Sequence, residues 1–458
     1  MRSMRKQLVH SLSLTIALVP FVACVPPSHA AETFSLQQAL ALAYESNPRL
    51  EQERAAVRAT DEEVAKAVGG WRPQIGVSGS YGWTQNDIST VALPIPNGHP
   101  RDVTVTVTQP LFTGATIPQT RQANAQVRAA RQQLTAVEQV VLLSAAQAYF
   151  NVVADEATLN YGRENVMLLT EQLNMTQQRI NIGDITVTDL QLVQSRLALA
   201  MANVSFSEAK LAGSRAEFLR AIGRPAESLE MMPPVPPQPE GIEAAVARAV
   251  QNNPDLNAAR ESQRVAEAAV DVAIGQLLPS LSVQGQYKVS RDEIGLGVSN
   301  SSTAVLAQLR VPIYQGGIEY AGVRQAKENR SRATFQVGDV ERQVRQSLET
   351  AWQAQIGARA AIVSHEQQVQ AAQMAYEGFV EGVRAGERST YDLLNSAQEL
   401  LSARTSLSDA QRQYYVATYQ LLVATGDMTA RGQNLPVKLY DPQIHYDQDA
   451  HKWIGFGR

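Results

Sequence analysis

Ala43-Tyr44-Glu45-Ser46-Asn47-Pro48-Arg49-Leu50 returns in the second half of the chain as Ala249-Val250-Gln251-Asn252-Asn253-Pro254-Asp255-Leu256. Farther along, Gly183-Asp184-Ile185-Thr186-Val187-Thr188-Asp189-Leu190 returns as Gly386-Glu387-Arg388-Ser389-Thr390-Tyr391-Asp392-Leu393. Between these blocks Pro73 and Tyr81 have counterparts in Pro279 and Tyr287, and Pro110 has one in Pro312. Matches that keep their order over most of each half imply two structurally equivalent halves, so the chain reads as a tandem repeat. The first repeat is expected over 31–232, a connector over 233–240, the second repeat over 241–428 and a polar tail over 429–458. The connector holds Pro233-Pro234-Val235-Pro236-Pro237-Gln238-Pro239, the composition of a stiff extended strap. The tail is expected to lie along the outside of the molecule or to stay mobile.

Inside each repeat the period of the apolar residues changes twice. From 35 to 68, Leu36, Leu40, Ala43, Leu50, Val57 and Val64 recur at helical spacing, and Ser35 with Gln38 makes a capping box, which reads as one helix. After Gly69-Gly70-Trp71-Arg72-Pro73 the pattern turns to alternation, with Ile75, Val77, Tyr81 and then Val103, Val105, Val107 against Ser78, Ser80, Thr104, Thr106 and Thr108. The second repeat alternates in the same way, with Leu306 as an exception. Strands are expected at about 74–84, 102–111, 280–290 and 303–313, with loops at 85–101 and 291–302. The runs from Pro118 to Asn181 and from Glu319 to Ala385 contain no further Pro and are rich in Gln, Ala, Arg and Glu. As helices they would reach roughly 95 Å, too long for a compact domain and suited to a coiled coil. Each ends at a Gly-containing tip loop, 183–189 or 386–392, and returns as a shorter helix, Val187 to Ile222 or Thr390 to Thr425.

The composition narrows the function. The chain has 458 residues, 40 Lys plus Arg against 44 Asp plus Glu, and one Cys. Its N-terminus is basic, then apolar, and reaches Ser28-His29-Ala30, the pattern of a signal peptide over 1–30 cleaved after Ala30. Cys24 leaves lipidation open as a competing fate. Cleavage would remove Arg2, Arg5, Lys6 and Cys24, leaving an acidic chain for which nucleic acid is a poor partner and thiolate chemistry is impossible. No pair of the His residues shows metal-binding spacing, no Gly-Lys-Ser/Thr phosphate loop occurs, and no enzyme, cofactor or metal is expected. No segment beyond the signal has 18 consecutive apolar residues, so a helical span is not expected either.

Four strands with one apolar face cannot bury that face on their own. If it meets lipid, every backbone edge must be closed, and closed membrane barrels need about eight strands or more. One chain supplies half of these, so chains must share a barrel, with two or three copies in a ring.

The sequence resembles the TolC family of outer-membrane efflux and type I secretion channels over nearly its whole length. The resemblance rests on the two Asn-Pro-x-Leu openings, the junctions Pro110-Leu111-Phe112-Thr113-Gly114 and Pro312-Ile313-Tyr314-Gln315-Gly316, and the two Gly-x-x-Ser/Thr-x-x-Asp-Leu tips at Gly183 and Gly386. It implies a mixed α and β membrane protein of the Gram-negative outer membrane. In this arrangement a homotrimer forms a twelve-stranded barrel, four strands per chain, continued by a long periplasmic α-helical barrel. It implies an exit duct for drugs, bile salts or a secreted protein, with a periplasmic adaptor and an inner-membrane ABC or RND transporter as partners. On this arrangement Val105, Val107, Val283 and Leu309 should face lipid, and Lys288, Arg310, Gln284 and Gln308 should line the lumen. Trp71, Trp83, Phe112 and Tyr314 fall where aromatic girdles occur.

At the tip the resemblance implies a gate in which Arg388 faces Thr188 and Asp189 of a neighbour and Asp392 forms an acidic ring. The family member in which these roles are clearest has a second acidic ring where this chain has Asn395 and a tyrosine where it has Val383, so the resemblance implies a weaker closure or different partners here. Both acids also sit where a helix N-terminus favours negative charge. The alternative reading is a trimeric surface or adhesion protein without a transport role. Such proteins place their strands in one C-terminal group, whereas these are split between two halves.

Overall fold

The computed structural model describes residues 33–85, 98–181, 185–231, 233–293, 297–450 and 452–455. The expected signal segment, most of the expected loop 85–101, the tip glycine Gly183 and His451 lie outside the described residues.

Each half runs through the same order of elements. The first is α1 (Leu36–Ser46), α2 (Pro48–Gly69), β1 (Gln74–Tyr81), β2 (Arg101–Thr113), α3 (Thr116–Asn181) and α4 (Val187–Ile222). The second is α5 (Ile242–Asn252), α6 (Pro254–Gly275), β3 (Ser280–Arg291), β4 (Ser299–Arg310), α7 (Ile318–Arg384) and α8 (Thr390–Thr425). A last helix, α9 (Gln443–Asp449), follows.

The single opening helix expected over 35–68 is two helices. The Ser35–Gln38 capping box does start α1. Asn47, however, is extended (φ −72°, ψ 120°), and Pro48, which has no N–H to donate, opens α2. The Asn side chain then works at two helix ends. Asn47 accepts from the Arg49 N–H at 3.0 Å and donates through Nδ2 to the Ala221 carbonyl at 3.1 Å, at the C-terminus of α4. Asn253 accepts from the N–H groups of Asp255 and Leu256 and donates to the Ala424 carbonyl at 3.2 Å, at the C-terminus of α8. One side chain thus satisfies orphan donors of one helix and an orphan acceptor of another, in both halves. Gly223 (φ 84°) and Gly426 (φ 87°) then end α4 and α8 in the left-handed region.

The long helices α3 and α7 have 66 and 67 residues, about 100 Å each. No single neighbour matches that length. α4 and α8 pack along their tip-side portions, and the shorter α2 and α6 take up the portions nearer the strands. The largest buried cluster forms a belt between these zones, where α1, α3, α4 and α8 meet. Tyr149 lies at its centre, its hydroxyl 2.9 Å from the carbonyls of both Phe34 and Glu230, and Phe150 stacks on Tyr415 with centroids 4.5 Å apart.

Of the two fates expected for the C-terminal segment, packing along the surface or mobility, it packs, and its first part goes deeper than the surface. Met428, Ala430 and Leu435 are buried in the belt, the Ala430 N–H donates to Glu138 Oε1 at 2.7 Å, and the Tyr440 N–H donates to Tyr44 Oη at 3.0 Å. α9 then packs on α2.

The four strands form one antiparallel sheet in the order β1-β2-β3-β4, so β2 and β3 pair across the two halves. β4 begins at Ser299, earlier than the expected 303; just before it the Asp292 N–H donates to the Val298 carbonyl at 3.0 Å and the Gly297 N–H donates to Asp292 Oδ1 at 2.6 Å. It stops at Arg310 rather than 313, since Pro312 has no N–H for a ladder. In β2 the register shifts between Pro110 and Phe112 for the same reason. Beyond β2, Gly114 passes so close to Gly275 that a Cβ on it would lie 2.6 Å from the Gly275 carbonyl oxygen. That glycine of the junction motif is therefore required for backbone contact between α6 and the β2–α3 corner.

Asn253 is 5% exposed and Asn47 is half-buried, so their loss should differ. Asn253→Ala should cost about 2 kcal/mol, a cap plus a stranded buried carbonyl, and Asn47→Ala about 1 kcal/mol. Thermal melting followed by circular dichroism checks this; midpoints unchanged from wild type would show that the Asn-Pro motif does not hold the helix ends together.

Candidate functional site

Two regions carry the residues singled out from the sequence, and they lie at opposite ends of the long helices. At the tip, Gly183 is outside the described residues, while Gly386 takes φ 76°. The Glu387 and Arg388 N–H groups donate to the Gly382 carbonyl at 2.9 and 3.2 Å, closing the turn after α7.

Both tip acids are helix-capping residues. Thr186 donates through Oγ1 to Asp189 Oδ2 at 2.7 Å and accepts from the Asp189 N–H at 3.3 Å. Ser389 and Asp392 repeat the arrangement at 2.7 and 3.2 Å. In each case the carboxylate also accepts from the capping residue's N–H, at 3.1 Å for Thr186 and 3.3 Å for Ser389. The Ser389 side-chain and backbone hydrogen bonds, with the nearby Arg388 charge, hold the Asp392 carboxyl below its ordinary value of 3.8. The capping role and a pore-lining role use the same carboxylate and do not exclude one another.

Arg388 is exposed. Within the chain it does not reach Thr188 or Asp189 among the described residues. Its guanidinium lies 5.3 Å from the Phe379 ring centroid, and its Cγ sits where a Cβ on Gly382 would be, at 2.7 Å. Thr188 is exposed as well. Asn395 accepts from Arg196 Nη2 at 3.2 Å, which ties α4 to α8 just behind the tip. Val383 is buried and lines a groove of about 460 Å³ with Leu168, Met175, Tyr376 and Leu393.

At the other end the sheet register sorts the strand residues. Val77, Val105 and Tyr287 are successive cross-strand partners, as are Val107, Gly285 and Val305, and Val283 pairs with both Gln109 and Ala307. Leu309 pairs with Leu281. Val105, Val107, Val283 and Leu309 thus share one face with Ile75, Val77, Tyr81, Val103 and Val305. The opposite face carries Gln284, Lys288, Gln308 and Arg310 beside Ser78, Thr104 and Thr106, with Leu306 the apolar exception. Lys288 Nζ reaches Glu293 Oε1 at 2.6 Å. The apolar face is bare, with Val77 70% and Val305 73% exposed. Among the described residues, the outer edges of β1 and β4 have no sheet partner. Trp83, Phe112 and Tyr314 are exposed near strand ends, and the Trp71 carbonyl accepts from Gln109 Nε2 at 2.8 Å.

One polar cluster carried no sequence signal. The Asp61 carboxylate is buried on α2; its Oδ2 meets His445 Nδ1 at 3.1 Å, and His445 Nε2 meets Asp449 Oδ2 at 3.1 Å. Arg131 approaches the other Asp61 oxygen at 4.0 Å, and burial raises the Asp61 pKa. Glu62 lies beside His445 and Asp449, but both His445 nitrogens and Asp449 are engaged, so the cluster serves as the dock of α9. Its members are far apart in sequence, and no local spacing connects them.

Residues 39–224 and 245–427 match the outer membrane efflux protein family. The outer membrane efflux protein BepC of Brucella suis biovar 1 is 31% identical over 448 residues, 96% of each chain. The outer membrane protein TolC of Vibrio cholerae is 26% identical over 397 residues, 84% of this chain and 89% of its own. The fold is also that of the Campylobacter jejuni CmeC outer membrane channel, with a TM-score of 0.76 at 16% identity over 91% of this chain and 89% of CmeC.

Proposed function

The chain belongs to the outer membrane efflux protein family, and from that membership we propose a homotrimeric exit duct serving a tripartite system. The protein is an outer-membrane channel with a large periplasmic helical region, a passive conduit and not a catalyst. In the proposed assembly three chains join their sheets edge to edge into a twelve-stranded barrel. The helices continue it as a tube towards a periplasmic adaptor and an inner-membrane ABC or RND transporter. The duct passes drugs, bile salts or a secreted protein delivered by those partners.

The single observation that carries this reading is the four-stranded sheet, which has one largely apolar, bare face and, among the described residues, two open edges. Water disfavours that face, and lipid disfavours those edges. Ring closure by identical chains, β4 of one against β1 of the next, removes both problems. The polar face carrying Gln284, Lys288, Gln308 and Arg310 then lines the lumen, and Val105, Val107, Val283 and Leu309 face hydrocarbon.

At the far end we assign the gate to Asp392, Arg388, Asp189 and Thr188, with Gly386 shaping its loop. Three-fold symmetry brings three Asp392 carboxylates towards the axis, and the Ser389 hydrogen bonds keep them ionised against mutual repulsion. Arg388 is exposed and carries a rigid donor fork, which suits it to Thr188 and Asp189 of the neighbour.

Extraction from outer membranes should require detergent and yield a trimer that conducts in planar bilayers. Val105→Arg should impair assembly, at a depth-dependent cost of about 2–4 kcal/mol. Recovery of the wild-type protein as a soluble periplasmic monomer would end this reading.

Arg388→Ser should raise the conductance of the isolated trimer, although exposed ion pairs are each worth only about 0–1 kcal/mol, because three copies act together. Asp392→Ala should lower cation selectivity and weaken block by multivalent cations from the periplasmic side. The Asp392 shift is downward, so its capping stabilisation and its charge are present above the ordinary value of 3.8 and are lost only as pH falls through the lower, folded-state value. Cation selectivity should therefore hold at neutral pH and fade only as acid protonates Asp392; selectivity and block unchanged in Asp392→Ala trimers would reassign Asp392 to capping alone.

A deletion strain, with related ducts also removed, should become sensitive to bile salts, dyes or hydrophobic drugs, or should lose a secreted protein. Growth inhibition and secreted-protein profiles measure this, and no change in either would remove the transport role.

A further inference from the structure

We infer that Arg101 and Arg291 form a binding site for the phosphate groups of the lipid in the outer leaflet. The inference rests on the proposed barrel orientation and adds a ligand to it. Arg101 of β2 and Arg291 of β3 are direct cross-strand partners. Their side chains leave the sheet on the same face about 5 Å apart at Cβ, an arrangement in which like charges repel. Both are exposed, and among the described residues neither guanidinium has an ion-pair or hydrogen-bond partner. The acids nearby are committed elsewhere. Asp102 engages Ser80 and Thr104 on the opposite face, Glu293 pairs with Lys288, and Asp292 accepts from the Gly297 N–H.

The alternation places this arginine pair on the apolar face, in the row directly after Val103 and Val289. From Leu281 to Val289 the apolar band runs about 27 Å along the strand, and the arginines follow about 7 Å later. They lie at the end of the sheet away from the helices, because the strands join α2, α3, α6 and α7 at their other ends. With the helices in the periplasm, that end meets the outer-leaflet headgroups. Tyr81, the partner of Arg101 on β1, stacks on His99 with centroids 6.0 Å apart in the same row, as suits an interfacial aromatic. β2 and β3 are the middle strands of the sheet, so a neighbouring chain joined at the edges does not cover the pair.

Two guanidinium forks side by side, with no carboxylate paired to them among the described residues and facing the boundary of the hydrocarbon, fit a phosphomonoester held by charge-assisted bidentate hydrogen bonds. An anion between them turns the cross-strand repulsion into attraction. The bound group is thus a phosphorylated lipid headgroup, anchored by its acyl chains along the Val103 and Val289 surface.

The test uses full-length trimers purified in detergent, with native mass spectrometry measuring binding of bis-phosphorylated lipid A, dephosphorylated lipid A and inorganic phosphate. Wild type should bind the bis-phosphorylated lipid about tenfold or more tighter than the dephosphorylated one. Arg101→Gln/Arg291→Gln should lose that preference, and Arg101→Lys/Arg291→Lys should keep part of it. If the double glutamine variant does not assemble, Arg291→Gln alone is read in the same way. Inorganic phosphate should not displace the lipid. Equal preference in wild-type and glutamine trimers overturns the site, and displacement by inorganic phosphate shows a free-anion site and overturns the lipid assignment. Conductance of the same trimers separates the two readings. Conducting trimers without lipid preference leave the duct standing and remove the site, whereas a wild type that never forms a membrane trimer removes both.

Discussion

Hydrocarbon offers no partner to a backbone N–H or C=O, and the molecule is organised around that fact. A sheet of four strands leaves the edges of β1 and β4 open among the described residues, while its apolar face asks to leave water. Neither solvent suits the chain alone, and the proposed ring of identical chains would answer both demands at once. The segregation of side chains is consistent with this. Serine, threonine and glutamine dominate one face, where their hydroxyls and amides stay wet, and valine, isoleucine and tyrosine dominate the middle of the other.

The helical part answers a different difficulty. A helix of about 100 Å cannot be covered by one partner of ordinary length, and an uncovered half would expose its apolar stripe. The chain divides the task between a long returning helix and a shorter incoming one, and the two must end at the same level. Asn47 and Asn253 set that level, because each caps the incoming helix while holding a terminal carbonyl of the returning one. The belt around Tyr149 fills the space at this joint, and the C-terminal segment threads into it.

Features with a local period were legible in the sequence. The alternation at 75–81 and 103–107 gave the two faces of the sheet, and the proline-free runs gave α3 and α7 within two residues at each end. The tip motif was visible through its spacing, and the capping geometry at Asp189 and Asp392 follows from it. Features made by distant partners were not legible. The break at Asn47 had a local signal in Pro48, but the apolar period that continues across it masked the signal. Leu435 and Ala430 look like members of a polar tail until the Glu138 and Tyr44 side chains that receive the segment are in place. The contact of His445 with Asp61 spans almost the whole chain, and the pairing of β2 with β3 is a property of the folded pair of repeats.

That last pairing has a kinetic side. Strands β2 and β3 are separated by both helices of a hairpin, the proline connector and two further helices, so their ladder is among the least local contacts in the chain. Contacts of high sequence separation form late and slowly, since loop closure must be met before the ladder repays it. The hairpins β1–β2 and β3–β4 and the coiled coils on either side are local and suited to form early. By contact order, the seam between repeats is the last ladder to close. Until it closes, each hairpin presents only its own two strands of the apolar face.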